Sequence, residues 1–128
     1  MSATLPPMSK ARRSPSSPGL GLVVAGYALV RVRGASMEPT LGDGDLLIVR
    51  VGAPIAAADL VVARLPEREG LAVKRAVRLD TDGWWVERDN SRSGVDSWAV
   101  GAVPAADVVA KVVRRVWPPR PVRGAPRL

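Results

Sequence analysis

This 128-residue sequence predicts a mostly β domain with only short helical turns. Three observations carry that prediction: short valine-rich runs, turn signals between them, and few helix signals. The runs cover residues 46–51, 60–65, 71–77 and 108–113, and their β-branched side chains suit a pleated, buried surface. Between them stand Gly42-Asp43-Gly44-Asp45, Gly52-Ala53-Pro54, Glu67-Arg68-Glu69-Gly70 and Asp80-Thr81-Asp82-Gly83, rich in residues that favour chain reversal. Gly83-Trp84-Trp85-Val86 adds a further strand. Single helical turns are expected near Pro104-Ala105-Ala106-Asp107 and near Ala56-Ala57-Ala58-Asp59.

The longest apolar stretch, 19–30, holds three glycines and stops at Arg31. It falls short of the roughly 20 residues that a membrane span needs. Lys10, Arg12 and Arg13 ahead of it imitate a secretory signal, but the favoured reading is a buried or edge strand.

A net charge of +7 and a pI near 11.2 suggest a nucleic-acid binder until the charges are placed. Six of the 19 basic residues lie in residues 1–18 and 118–128, where there is no acid. The body therefore carries 13 basic residues against all 12 acids, a net charge of +1. The same ends are rich in proline, and five serines lie among the first 18 residues. The expected organisation is a disordered basic arm (1–18), a folded domain (19–117) and a basic proline-rich tail (118–128). Such tails serve solubility or weak attraction to anionic surfaces, and no nucleic-acid partner is expected.

Histidine and cysteine are both absent. That excludes Ser/His/Asp triads, Cys/His dyads, disulfides and zinc fingers. Acid and base chemistry must fall to lysine, carboxylate or tyrosine. Only three lysines occur, Lys10, Lys74 and Lys111. Lys10 lies in the arm, and Lys111 lies in an alternating strand where a solvent-facing role suffices. Lys74 sits inside the apolar run 71–77. If buried there, its ammonium form is disfavoured and it can accept a proton near neutrality. A lysine that snorkels to solvent is the other reading. The candidate nucleophile is Ser36: Gly34 permits a tight approach to the strand and Pro39 stops a helix, so Ser36 is expected at an exposed strand-to-loop junction. Taken alone, Ser36-Met37-Glu38-Pro39-Thr40 also reads as an ordinary turn. A hydroxyl needs a base, and in a chain without histidine Lys74 is the available partner.

In order and spacing, Ser36-Met37-Glu38-Pro39-Thr40-Leu41, Gly44-Asp45, Val73-Lys74-Arg75, Asp89-Asn90 and Asp96-Ser97 resemble the type I signal peptidases, over about residues 30–117. The resemblance implies a Ser/Lys endopeptidase on the antiparallel β fold shared by signal peptidases and the SOS-repressor peptidases. Ser36 would be the nucleophile and Lys74 the general base, with no cofactor and no metal. The Ser36 N–H would be one oxyanion donor. Some members carry a serine hydroxyl two residues earlier, where this chain has Gly34. Met37, Pro39, Arg75, Asp89, Asn90, Asp96 and Ser97 are implied as supporting residues, Arg75 pairing with Asp89 while Asn90 and Asp96 order nearby backbone. The chain departs from the pattern at Arg88 (usually glycine), Gly94 (often serine) and Trp98 (arginine).

Small size, the absence of a membrane anchor, the Gly83-Trp84-Trp85-Val86 strand, and the ending from Gly101-Ala102-Val103-Pro104 to Arg115-Val116-Trp117-Pro118 are similar to the nickel-type superoxide dismutase maturation proteases. That similarity implies a precursor protein with an N-terminal leader as the partner, above all a nickel superoxide dismutase. It also implies a cytoplasmic location, with peripheral membrane contact left open. Two further readings stay open. One is a self-cleaving peptidase of the SOS-repressor type, which uses a similar separation to the 38 residues between Ser36 and Lys74. The other is a non-catalytic β domain that binds a peptide or nucleic acid.

Overall fold

In the computed structural model, which describes residues 2–4 and 20–119, seven strands form one sheet. They are β1 (Ser2–Thr4), β2 (Tyr27–Arg33), β3 (Leu46–Val51), β4 (Leu60–Ala63), β5 (Leu71–Asp80), β6 (Gly83–Glu87) and β7 (Val108–Trp117). Their order is β1-β2-β3-β7-β4-β5-β6, and every pairing is antiparallel. A further pairing of β1 with β5 closes six strands into a ring, and β6 continues from the second half of β5. The mostly β class expected from the valine runs is the class observed, and the antiparallel pairing is the one the resemblance implied.

Strand periodicity decides what faces the interior. In β2, Ala28, Val30 and Val32 point inward while Tyr27, Leu29, Arg31 and Arg33 point outward. Leu47 and Val49 of β3 join them, together with Leu60 and Val62 of β4, Leu71 and Val73 of β5, and Val112 of β7. β4 is buried along its whole length, because its alternate residues Val61 and Ala63 belong to a second cluster with Ala72, Ala76, Trp84, Val86 and Val103. Strand β5 is thus shared: Leu71 and Val73 serve the ring interior, while Ala72, Lys74 and Ala76 point to the second layer.

Alternation fails in β7, where Val112 and Val113 are both buried. Its register with β3 slips at two places, so two residues oppose one, and each slip turns the following side chains over. One result is an inward Arg115. Its guanidinium makes a buried ion pair with Asp45 at 2.8 Å and also donates to the Thr40 carbonyl at 3.1 Å.

Several boundaries differ from expectation. The stretch 19–30 is not one strand: Ala25 and Gly26 take left-handed φ values of 53° and 84°, which makes a turn, and β2 begins only at Tyr27. β4 ends at Ala63, while β5 and β7 run on past residues 77 and 113. A 3-10 turn forms at Ala105–Asp107, as expected, but residues 56–59 make a non-helical turn in which Asp59 accepts from the Ala56 N–H. Lys111 is only partly exposed and pairs with Asp59 at 3.2 Å. The expected disordered arm covers residues 1–18; its residues 2–4 form β1, and the rest lies outside the described residues, as do residues 120–128 of the tail.

Gly83 shows how tightly the second layer closes. Its φ is +125°, and an added Cβ would lie 2.1 Å from the Val103 carbonyl oxygen. Gly83→Ala should therefore cost about 2–4 kcal/mol, from backbone strain and overlap together, read as a lowered urea midpoint with an unchanged slope.

Candidate active site

Lys74 stands in the middle of β5 with Val61 of β4 opposite it. Only 1 % of its surface is exposed, so its side chain does not snorkel to solvent. Its Nζ donates instead to Ser36 Oγ at 3.0 Å, and Ser36, expected at an exposed junction, is 0 % exposed because the next residue, Met37, is anchored in the core and Asn90 closes over the loop. Burial in an apolar layer penalises the ammonium and lowers the Lys74 pKa from its ordinary 10.5. The Asp96 carboxylate opposes that shift in part, and Arg88 adds to it. A lysine that loses its proton more readily leaves a lone pair facing a hydroxyl, which is the geometry for proton transfer from Ser36.

Why the serine stays there follows from the loop between β2 and β3. Met37 and Leu41 are fully buried in the ring interior, and such burial contributes about 1.5–3 kcal/mol for each side chain. Gly34 has a φ of +86°, and its N–H donates to Asp43 Oδ1 at 2.7 Å, so that amide is engaged within the loop. Asp45 caps the return by accepting from the Gly42 N–H at 2.9 Å. Pro39 follows a cis peptide and is exposed at the outer edge of the loop.

The segment after β6 clamps this loop from the other side. Asn90 donates its N–H to the Ser36 carbonyl at 2.7 Å and its Nδ2 to the Ala35 carbonyl at 2.9 Å. The Asp89 N–H meets Met37 Sδ at 3.3 Å. Arg75, the residue after the lysine, grips Asp89 with two nitrogens, at 2.7 Å and 3.3 Å, while Thr40 donates its hydroxyl to the same carboxylate at 2.6 Å. Arg75 also donates to the Ala58 carbonyl at 2.9 Å.

Asp96 and Ser97 act one step further out. Asp96 is the N-cap of the short helix α1 (Ser97–Val100), accepting from the Trp98 N–H at 3.1 Å and from the Arg88 N–H at 3.0 Å. Ser97 Oγ accepts from the Val86 N–H of β6 at 2.9 Å. Arg88, one of the departures from the resembled pattern, places its Nε 3.5 Å from the Asp96 carboxylate. Trp98 instead projects into solvent, edge-on to Trp85 at 5.2 Å, with its Nε1 donating to Glu87.

A cavity of about 320 Å³ adjoins the pair, lined by Gly34, Ala35, Leu65, Leu71, Ala72 and Lys74 among others. A larger one, about 590 Å³, lies elsewhere among Val23, Val51, Ile55, Trp84 and Val109, and no titratable side chain lines it. The smaller cavity is the one with chemistry. Among the described residues no three His, Cys, Asp or Glu side chains converge as a metal site, and no helix is long and apolar enough to cross a membrane.

Sequence reading missed Thr40, Asp43, Asp45, Arg88 and Arg115 as parts of this frame. Thr40 and Asp45 lay inside the quoted motifs. Arg115 carried no local signal, since its partner is 70 residues away.

The sequence profile described as Peptidase S24-like matches residues 22–113. Mitochondrial inner membrane protease subunit 1 of Xenopus tropicalis is 29 % identical over 110 residues, 66 % of each chain. Signal peptidase I of two Streptococcus pneumoniae strains is 42 % identical over 63 residues, which cover 49 % of this chain and 31 % of theirs. The alignments therefore span just under two thirds of the frog protein and about a third of the bacterial ones.

The Arg75–Asp89–Thr40 cluster makes a stability prediction. Asp89→Ala should cost about 1.5–3 kcal/mol in chemical denaturation, and Asp89→Asn, which still accepts from Thr40, should cost less.

Proposed function

Because the chain belongs to the Peptidase S24-like family, we propose that it is a serine endopeptidase that removes an N-terminal leader from a precursor protein, with Ser36 as nucleophile and Lys74 as general base. The observation that carries this reading is the buried contact of 3.0 Å between Lys74 Nζ and Ser36 Oγ. In the first step neutral Lys74 takes the Ser36 proton as Oγ attacks the scissile carbonyl. Protonated Lys74 then gives its proton to the leaving amine, and the leader stays as an ester on Ser36. Water, activated by the again neutral lysine, hydrolyses the ester and frees Ser36.

The developing oxyanion needs donors. Among the described residues the Ser36 N–H meets no acceptor, which leaves it free for this role. A donor of this kind is worth about 3–4 kcal/mol of barrier. The Gly34 N–H is spent on Asp43, so it is not offered as a second one. Met37, Pro39, Arg75, Asp89, Asn90, Asp96 and Ser97 hold the frame rather than touch the reacting atoms. In this reading the substrate is a nickel-type superoxide dismutase precursor, handled in the cytoplasm without a metal in the protease.

Self-cleavage at the Ala25-Gly26 bond fits less well. That bond precedes β2, and the seven residues of β2 put roughly 20 Å of strand between it and the Ser36 loop. Reaching Ser36 would mean pulling β2 out of the ring.

Incubation with a leader-bearing nickel superoxide dismutase precursor, read by intact mass, tests the reading. Wild type should remove the leader, while Ser36→Ala and Lys74→Ala should lose at least about 10³-fold in rate. Lys74→Arg should be as inactive as Lys74→Ala, since a guanidinium keeps its proton at working pH. Cleavage that persists in Ser36→Ala would remove the serine from the mechanism.

The pH profile has a defined sign. The base works unprotonated, so kcat/KM should rise with pH through the lowered Lys74 pKa and level off above it. A profile that rises only around 10.5 would contradict a buried base.

A further inference from the structure

The ring of strands is closed at one place by very little. β2 and β5 do not pair with each other, and the three residues of β1 fill the gap between them. Ser2 lies opposite Arg33 on one side and Ala72 on the other, Ala3 opposite Val32 and Leu71, and Thr4 opposite Arg31. Without β1, strands β2 and β5 would present two unpaired edges facing each other. Such edges receive an extended peptide by backbone pairing.

This gap leads to the candidate active site. Being antiparallel to the same strand, β2 and β5 run in the same direction along the gap. Ser36 comes three residues after Arg33, and Lys74 two residues after Ala72. Both side chains are closed off from solvent here, at 0 % and 1 % exposure, although a peptide must reach Ser36 Oγ for any acyl transfer. Something has to move. A strand of three residues, the shortest in the ring and held there by the pairing of two or three residues on each side, is the element that costs least to displace.

The direction of β1 separates an occupant from a substrate. A leader that lies in the gap with its last carbonyl at Ser36 must run toward the pair, parallel to β2 and β5. β1 runs the opposite way, with Ser2 as its end nearest the pair. It fills the track without presenting a leader's scissile bond to the serine.

We propose that Ser2–Thr4 is an autoinhibitory strand, a built-in occupant of the peptide-binding gap that an incoming extended peptide must displace. The inference rests on the peptidase reading for the identity of the incoming peptide, but the competition itself is a binding equilibrium. Affinity for a peptide is reduced by the fraction of molecules whose gap is open, so an occupant closed in about 70–90 % of molecules weakens binding about three- to tenfold.

The experiment compares the full chain, a chain lacking residues 1–4, and Ala3→Pro, which removes a backbone donor from β1. Binding of a fluorescent leader peptide is measured in the Ser36→Ala background, and cleavage of the same peptide in the Ser36 background. Both changes to β1 should lower Kd and KM about three- to tenfold while kcat stays nearly constant. Unchanged Kd and KM would overturn the occupant. A Kd shift without cleavage by any of the chains would keep the occupant and overturn the peptidase. Cleavage by all three chains with equal KM would do the reverse. Should both altered chains fail to fold, hydrogen exchange on the full Ser36→Ala chain decides: added peptide should speed exchange of the β1 amides, and protection of β1 unchanged at saturating peptide would overturn the proposal.

Discussion

A lysine ammonium inside an apolar layer is costly, and the structure is arranged around the way this one avoids that cost. Lys74 is surrounded by Val61, Ala72 and Ala76 of two central strands, where a charged group loses far more hydration than the layer can return. The outcome is a pKa shifted downward and a side chain whose one close polar partner among the described residues is the Ser36 hydroxyl at 3.0 Å. The same desolvation that makes the position expensive makes the amine easier to deprotonate.

Holding a hydroxyl against that amine requires a rigid loop, and Thr40 is where its restraints meet. Its hydroxyl goes to Asp89, which Arg75 grips from the strand that also carries Lys74. Its carbonyl takes a bond from Arg115, which is paired with Asp45 at the far end of the same loop. The loop is thereby tied to β5 and to β7 at once. Asn90 completes the clamp by taking up the carbonyls of Ala35 and Ser36, so backbone rotation beside Ser36 is restrained from outside the loop as well as within it. The two ion pairs differ in setting: Arg115 and Asp45 are buried, and breaking one partner there is severe, whereas Arg75 and Asp89 keep some solvent contact.

The strands were legible because valine runs between glycine, proline and aspartate turns leave few alternatives; β3 occupies the residues expected of it. What was not legible depended on tertiary pairing. β1 gains its pairing only because β2 and β5 leave a gap of one strand. Helix α1 is four residues long and rests on the Asp96 cap, too short for any periodicity to announce it. The late slips of β7 against β3, which aim Arg115 inward, are a property of two strands far apart in the chain. At the site, the serine, the lysine and their spacing could be read from the sequence, but burial against snorkelling for Lys74 could not. That choice is made by β4 and by the second core layer, which local sequence does not contain.

A base at Lys74 requires an amine that loses its proton more readily than a free lysine, and one titration reads that directly. Only three lysines occur in the chain, so ¹³C labelling of the lysine ε-carbons gives three signals, and Lys74→Met identifies the one of interest. Followed from neutral to strongly alkaline pH in the Ser36→Ala chain, that signal is expected to titrate with a midpoint below 10.5. A midpoint at or above 10.5 would mean that the amine stays charged at working pH, and Lys74 could not then be the base.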